Sequence, residues 1–191
     1  MSAHPAFGTR RPDLSLVPPD PEPTIAPDLY RSVFRQRADG VAVITADAGS
    51  GPVGFTATSV VSLSLDPAMV SFSLASSSSS FPAVDRAHHA AINFLDADQS
   101  ELAMRFASKG IDRFAGTRWS ALPDQTPVLD DAPSRLHGRI AHRFAVGDHH
   151  IVVLRLLSAE VRRPYRPLVY HDGGYGLVVR PGDPAWTEGG R

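Results

Sequence analysis

The alternation of apolar and polar residues along the first half of the chain predicts short strands joined by tight turns. The turn signals lie at residues 47–52 and at Asp66-Pro67. The strand-like runs between them are residues 40–46, 53–57, 60–65 and 69–75. Because these four runs follow one another closely, we expect them to form an antiparallel meander.

The remaining pattern adds a few helices and a second series of strands. Helical spacing predicts helices that begin at Pro27, after Ser80 at Phe81-Pro82, and across residues 99–107. Residues 123–133 are rich in turn-forming residues. The later strand-like runs are 90–95, 136–146, 151–157 continuing to Val161, 168–170 and 175–179. Many short strands with few helices favour a mainly β fold, a β-barrel rather than a doubly wound sheet.

Length and composition bound the class of protein. The 191 residues fit one domain with tails: a proline-rich arm at 1–27, the domain at 28–180 and a tail at 181–191. The net charge is -1, so no field of one sign attracts nucleic acid or an anionic membrane. The chain has no cysteine, which excludes thiolate metal sites and suits a reducing cytoplasm. No apolar run is long enough to span a membrane, and no secretory signal is recognisable.

One glycine pattern matches a dinucleotide-binding motif, and we reject that interpretation. Gly49, Gly51 and Gly54 satisfy G-x-G-x-x-G. In the motif the third glycine opens a helix, whereas the residues after Gly54 alternate as a strand. The sequence therefore predicts a hairpin loop.

Two hydroxyl-rich segments and one arginine are candidates for anion binding. Residues 54–59 contain Thr56, Thr58 and Ser59 where a strand breaks, and five serines, 76–80, precede a helix start. Each has an ordinary alternative: a half-buried strand for the first and a flexible linker for the second. Arg113 offers a guanidinium that can bind phosphate, or can form a surface salt bridge.

The sequence gives little support for metal or hydrolytic chemistry. The histidine pairs 88–89 and 149–150 are adjacent, and neighbours on a strand point to opposite faces, so neither pair can chelate one ion. No G-x-S-x-G motif marks a nucleophilic serine. We expect no metal site.

The order and spacing of several segments carry a resemblance to a known family. They are residues 40–45, 54–59, 62–67, 70–74, 92–95, 112–116, 147–149, 167–170 and 174–175. Together they resemble the short-chain flavin reductases, an FMN-binding split-barrel family that supplies reduced flavin to two-component monooxygenases. The likeness runs from about Tyr30 to Val178. Thr58 departs from it, since the family often has asparagine there.

The resemblance implies a homodimeric split barrel with FMN or FAD at the subunit interface, NADH or NADPH as co-substrate and an oxygenase component as a possible partner. Residues 56–59 would contact the flavin ring and ribityl chain, 76–79 and Arg113 the phosphate, and His149 the nicotinamide, unless it is only a surface histidine. The implied site residues are Thr56, Ala57, Thr58, Ser59, Ser76, Ser77, Ser78, Ser79, Asn93, Arg113, Phe114, His149, Tyr170 and Tyr175. A flavin-binding module without activity, or an oxidase that retains its flavin, would fit the same fold.

Overall fold

The structure is a computed structural model that describes residues 24–183. Most of the predicted N-terminal arm and most of the predicted C-terminal tail lie outside these residues. The helices within them are α1 (Pro27–Arg35), α2 (Phe81–Arg86) and α3 (Ser100–Ala107). The strands are β1 (Asp39–Gly40), β2 (Ala42–Asp47), β3 (Pro52–Ala57), β4 (Val61–Leu65), β5 (Ala68–Ala75), β6 (His89–Phe94), β7 (Trp119–Ala121), β8 (Pro127–Leu129), β9 (Ser134–Val146), β10 (His149–Val161), β11 (Leu168–His171) and β12 (Gly174–Leu177). No helix among residues 24–183 has both the length and the apolar character that a membrane crossing requires.

Seven strands form one curled antiparallel sheet in the order β3-β2-β6-β9-β10-β5-β4. The sheet curls so that the residues after β3 reach β5 near the opposite edge, where the Ser73 amide donates to the Ser59 hydroxyl at 2.9 Å. Strands β1, β11 and β12 form a small second sheet, and β7 pairs with β8. The mainly β class is confirmed, and the curled sheet is consistent with a split barrel.

The predicted meander is wrong. Strands β2 and β3 pair, and so do β4 and β5, but β3 and β4 lie at opposite edges of the sheet. Pairing between segments distant along the chain replaces the meander: β5 pairs with β10, and β2, in which Ala42, Val43 and Ile44 are all at most 1% exposed, pairs with β6. A strand buried on both faces sits between partners, and β2 takes β6 as its second partner, from about 50 residues away. The alternation of apolar and polar residues within β2 does not indicate which distant strand it pairs with.

Alternate residues of β2 enter two different cores. Ala42 and Ile44 join the apolar cluster inside the curled sheet, while Val43 joins a second cluster that contains Phe106 of α3 and Leu129 of β8. This alternation is the period of two expected of a strand. It fixes α3 against the outer face of the sheet.

The loop between β2 and β3 is the predicted hairpin turn. The Asp47 carboxylate accepts hydrogen bonds from the amides of Gly49 and Gly51, at 2.6 and 3.2 Å. Both glycines have positive φ values, +90° and +103°, which a residue with a side chain rarely adopts. Gly54 lies in β3, a strand, where the dinucleotide-binding motif would have a helix. The rejection of that motif is therefore confirmed.

Candidate functional site

A pocket of about 370 Å³ opens where β3 ends, beside the serine segment, the end of α3 and the start of β10. Its volume lies within the range of roughly 300–1,000 Å³ common for small-molecule sites. It is lined by Phe55, Thr56, Ala57, Thr58, Ser59, Ser73, Leu74, Ala75, Ser77, Ser78, Ser79, Phe106, Ala107, Lys109, Arg113 and His149. Residues 56–59, residues 77–79, Arg113 and His149 therefore come together in one pocket, although they are distant in sequence.

The hydroxyls at the end of β3 and just after it divide into those bonded to the protein and one that is available to a ligand. Thr56 donates to the carbonyl of Ala103 in α3 at 2.6 Å. Ser59 accepts from the amide of Ser73 and donates to its carbonyl, at 2.9 and 3.3 Å. These two hydroxyls hold the pocket wall together, while Thr58 is exposed. Thr58 is thus the hydroxyl in this segment best able to serve a ligand.

The serine segment forms a turn rather than a linker. The amides of Ser78 and Phe81 donate to the carbonyls of Ala75 and Ser78, at 2.9 and 3.0 Å. Ser80 precedes α2 but does not cap it, because its buried hydroxyl donates instead to the carbonyl of Gly54 in β3. Ser77 and Ser79 are exposed and line the pocket.

Arg113 connects the serine segment to β3 and to the end of α3. Its Nη1 donates to the Gly54 carbonyl at 2.7 Å and to the Ser80 hydroxyl at 3.0 Å, and its Nε donates to the Ser108 carbonyl at 2.8 Å. Burial lowers the pKa of Arg113 from its usual value, yet a guanidinium remains charged at neutral pH. Asp112 holds the local turn by accepting from the amide of Phe114 at 2.9 Å.

Sequence reasoning missed Lys109, which lines the same pocket. It follows α3 directly and is the only lysine among the 19 Lys and Arg residues of the chain. A single exposed lysine in a loop carries no motif. The one available signal was that Lys109 is a single lysine in a chain whose other 18 Lys and Arg residues are all arginine.

His149 lies at the rim of the pocket, at the start of β10. Its Nδ1 is 2.7 Å from Oδ1 of Asp148. This hydrogen bond lowers the pKa of the Asp148 carboxyl. The carboxylate orients the imidazole, which is the arrangement by which a histidine is positioned for hydrogen bonding to a ligand.

Five predicted site residues do not line the pocket. Asn93 is completely buried; its amide donates to the Val43 carbonyl and its oxygen accepts from the Leu129 amide. It joins β2, β6 and β8, and its predicted place near the flavin stays a prediction. The other four are Ser76, Phe114, Tyr170 and Tyr175.

The positions of these four have simple physical reasons. The amide of Ser76 donates to the carbonyl of Asp148, which fixes the start of the serine turn. Phe114 is buried in the second core, edge-to-face with Phe106. Tyr170 and Tyr175 are cross-strand partners in the small sheet. Burial, and the neighbouring Tyr170, raise the pKa of Tyr175.

The chemistry of the lining suits a phosphorylated heterocycle such as a flavin nucleotide. Among the described residues that line the pocket there are two cations and no carboxylate. Apolar side chains of Phe55, Leu74 and Phe106 share the lining with the hydroxyls. An anionic ligand with an apolar ring finds its complementary groups here. Across residues 24–183, no group of three or more potential ligand side chains could hold a metal ion.

Comparison with known proteins identifies the family. The family model described as the flavin reductase like domain matches residues 34–178. An NADH:FMN oxidoreductase from Rhodococcus qingshengii is 38% identical over 172 residues, covering 83% of this chain and 90% of that relative. The reductase subunit HsaB of a flavin-dependent monooxygenase from Rhodococcus jostii is 32% identical over 151 residues, covering 79% of this chain and 77% of that relative.

A solved structure agrees with this assignment. The crystal structure of a flavin reductase domain protein from Arthrobacter sp. FB24 superposes with a TM-score of 0.77 at 38% identity, covering 80% of this chain and 96% of that chain. The resemblance seen in the sequence is confirmed. This chain belongs to the flavin reductase-like domain family.

Proposed function

We propose that this protein is an NADH-dependent flavin reductase that reduces FMN or FAD and supplies the reduced flavin to a partner monooxygenase. The observation that carries the proposal is the pocket, which brings the two hydroxyl segments, two cations and His149 together in a chain of this family. The names of the relatives favour the same activity: one is an NADH:FMN oxidoreductase and another a monooxygenase reductase subunit.

The protein's own contribution is binding and orientation. When bound, the flavin supplies the acceptor for the nicotinamide hydride. Thr58 and the exposed serines would hold its polar groups, the positive charge of the pocket would attract its phosphate, and Phe55 and Phe106 would exclude water from the ring. Orientation of two reactants alone can lower a barrier by several kcal/mol, so no side chain with a strongly shifted pKa is required. His149, held by Asp148, would position the nicotinamide amide at the rim.

The predicted homodimer belongs to the same proposal. No residue of α1 is buried, and its apolar side chains Leu29, Tyr30, Val33 and Phe34 are exposed. Leu65 of β4 is 91% exposed. Large exposed apolar side chains of this kind mark interaction surfaces, and a second copy of the chain is the partner that the family resemblance implies. Sedimentation of the purified protein at micromolar concentration should give twice the chain mass; a monomer would contradict the proposal.

Steady-state NADH oxidation tests the activity and the site together. Catalytic amounts of protein should oxidise NADH through many turnovers when FMN is added. Thr58→Ala should raise the KM for FMN by about three- to tenfold, since it removes one hydrogen bond in a partly exposed site. Ser158→Ala, an exposed position on β10 away from the pocket, is the matched control and should leave the KM unchanged.

Two outcomes would contradict the reductase assignment. Stoichiometric FMN binding without NADH oxidation would indicate a flavin-binding module. Retention of the flavin through gel filtration, with no release after reduction, would indicate an oxidase. The cytoplasmic location stays a prediction from the cysteine-free composition.

A further inference from the structure

The pocket contains two cations that differ in their availability to a ligand. Arg113 donates to three protein acceptors, the carbonyls of Gly54 and Ser108 and the hydroxyl of Ser80, at 2.7–3.0 Å. Its Nη2 also donates to the Ser79 hydroxyl, at 3.4 Å, and keeps one N–H that no acceptor in the described part of the chain uses. The guanidinium is therefore directed at the protein, where it holds the serine turn against β3.

The ammonium of Lys109, in contrast, is not engaged by the described residues of the protein. Lys109 is exposed at the pocket, in the bend after α3, next to Gly110, which has a φ of +75°. Among residues 24–183 no carboxylate lies within ion-pair distance of its ammonium, and no hydrogen bond holds it. An ammonium on a flexible stem can follow a phosphate without disturbing the protein contacts around it.

The charge of the pocket lining also favours a direct contact between Lys109 and a phosphate. No carboxylate is among the described residues of the pocket wall, and the hydroxyls of Ser77 and Ser79 share it with Lys109. A phosphate monoester carries close to two negative charges at neutral pH. Arg113 keeps at most one N–H for a ligand, whereas all three N–H donors of Lys109 are unused within residues 24–183, so Lys109 is better suited to be the direct ionic partner of the phosphate.

We propose that Lys109 is the residue that binds the flavin's phosphate directly, and that Arg113 positions the serine turn instead. This inference rests on the proposed flavin-reductase function. It makes Lys109 the group by which the protein distinguishes a phosphorylated flavin from riboflavin, which has the same ring and ribityl chain without the phosphate.

Binding measurements with two flavins test the assignment. Lys109→Gln should raise the dissociation constant of FMN by about three- to tenfold, a range that allows for the exposure of the ammonium, while the dissociation constant of riboflavin changes less than about twofold. Lys109→Arg should recover most of the FMN affinity. Raising the salt concentration should weaken FMN binding to the wild type more than to Lys109→Gln, because screening acts on the ionic contact.

A matched control separates the local contact from the overall charge. Arg86 is an exposed cation at the end of α2 and does not line the pocket. Arg86→Gln changes the net charge by the same amount and should leave both dissociation constants unchanged. Equal weakening of FMN binding in Arg86→Gln and Lys109→Gln would overturn the proposal, as would equal weakening of FMN and riboflavin binding in Lys109→Gln.

The single lysine permits a second, independent test. An amine-acylating reagent can modify only Lys109 and the chain's N-terminus, and tryptic cleavage then yields the acylated peptide 106–113. FMN should slow acylation of Lys109, whereas riboflavin should not. Protection by NADH but not by FMN would assign the lysine to the nicotinamide nucleotide and overturn the proposal, and so would an absence of protection by either. Wild-type turnover with FMN and NADH is measured in parallel, so that failure of the reductase function is recognised separately.

Discussion

Replacing Arg113 by alanine should destabilise the protein even when no flavin is present. The substitution removes hydrogen bonds to the Gly54 carbonyl, the Ser80 hydroxyl and the Ser108 carbonyl. A hydrogen bond from a charged donor contributes about 1.5–3 kcal/mol when it is well shielded. The contact to Ser108 is exposed, and the Gly54 carbonyl keeps a second donor in Ser80, so we expect a loss of about 2 kcal/mol in the free energy of unfolding.

Denaturant unfolding of the flavin-free protein measures this loss. For a chain of this size, about 2 kcal/mol corresponds to a fall in Tm of roughly 4–8 °C. Arg113→Lys keeps the charge but not the planar fork, so it should be destabilised almost as much. The control is Arg118→Ala, which removes an exposed ion pair with Asp131 and should lower the free energy of unfolding much less than Arg113→Ala does. Unchanged stability in Arg113→Ala, combined with lost FMN binding, would refute the positioning role and return Arg113 to direct phosphate binding.

Three further predictions concern the framework. Asn93→Ala should lower the free energy of unfolding by about 2–4 kcal/mol, because it leaves a buried donor and a buried acceptor unpaired. FMN affinity should show no selective loss; a selective loss would indicate that Asn93 contacts the flavin. Gly54→Ala should lower the free energy of unfolding by about 1–3 kcal/mol by overpacking, since the added carbon would lie 2.7 Å from Phe106. An unchanged midpoint of urea unfolding would contradict this. Burial raises the pKa of Asp124, but the hydrogen bonds from Thr126 and two neighbouring histidines outweigh it, and the net pKa is below the usual 3.8. A carboxyl group whose pKa is lowered by folding stabilises the folded state at pH values above its pKa in the unfolded state. That stabilisation is lost as the pH falls through its pKa in the folded state. The stability difference between wild type and Asp124→Asn should therefore shrink below about pH 4, and a pH-independent difference would contradict the assignment.

Local sequence signals predicted the elements well because each depends on neighbouring residues. The helix at Pro27, the strand before Asp47 and the hairpin loop at Gly49 are all set by periodicity and turn chemistry. Strands β7 and β8 were missed, because three-residue strands in a stretch rich in proline and aspartate give no periodic signal. The meander failed for a different reason: β3 does not pair with β4, and β2 and β5 pair instead with β6 and β10, which are distant along the chain.

The site could be predicted only in part, since residue type does not reveal how a donor is used. Thr56 and Arg113 have the chemistry of ligand-binding groups, but the fold commits them largely to protein acceptors. Asn93 is polar and lies in a segment shared with the family, yet it is fully buried. Lys109 carries no motif at all. Only the three-dimensional arrangement distinguishes polar groups that build the pocket from those that face it.

Anaerobic reduction of excess free FMN by NADH, with the protein present at catalytic concentration, tests the central claim most directly. When NADH is present in at least equimolar amount to FMN, all of the FMN should be reduced, with many flavin molecules released per protein chain. Reduction that stops at one flavin per chain would contradict it.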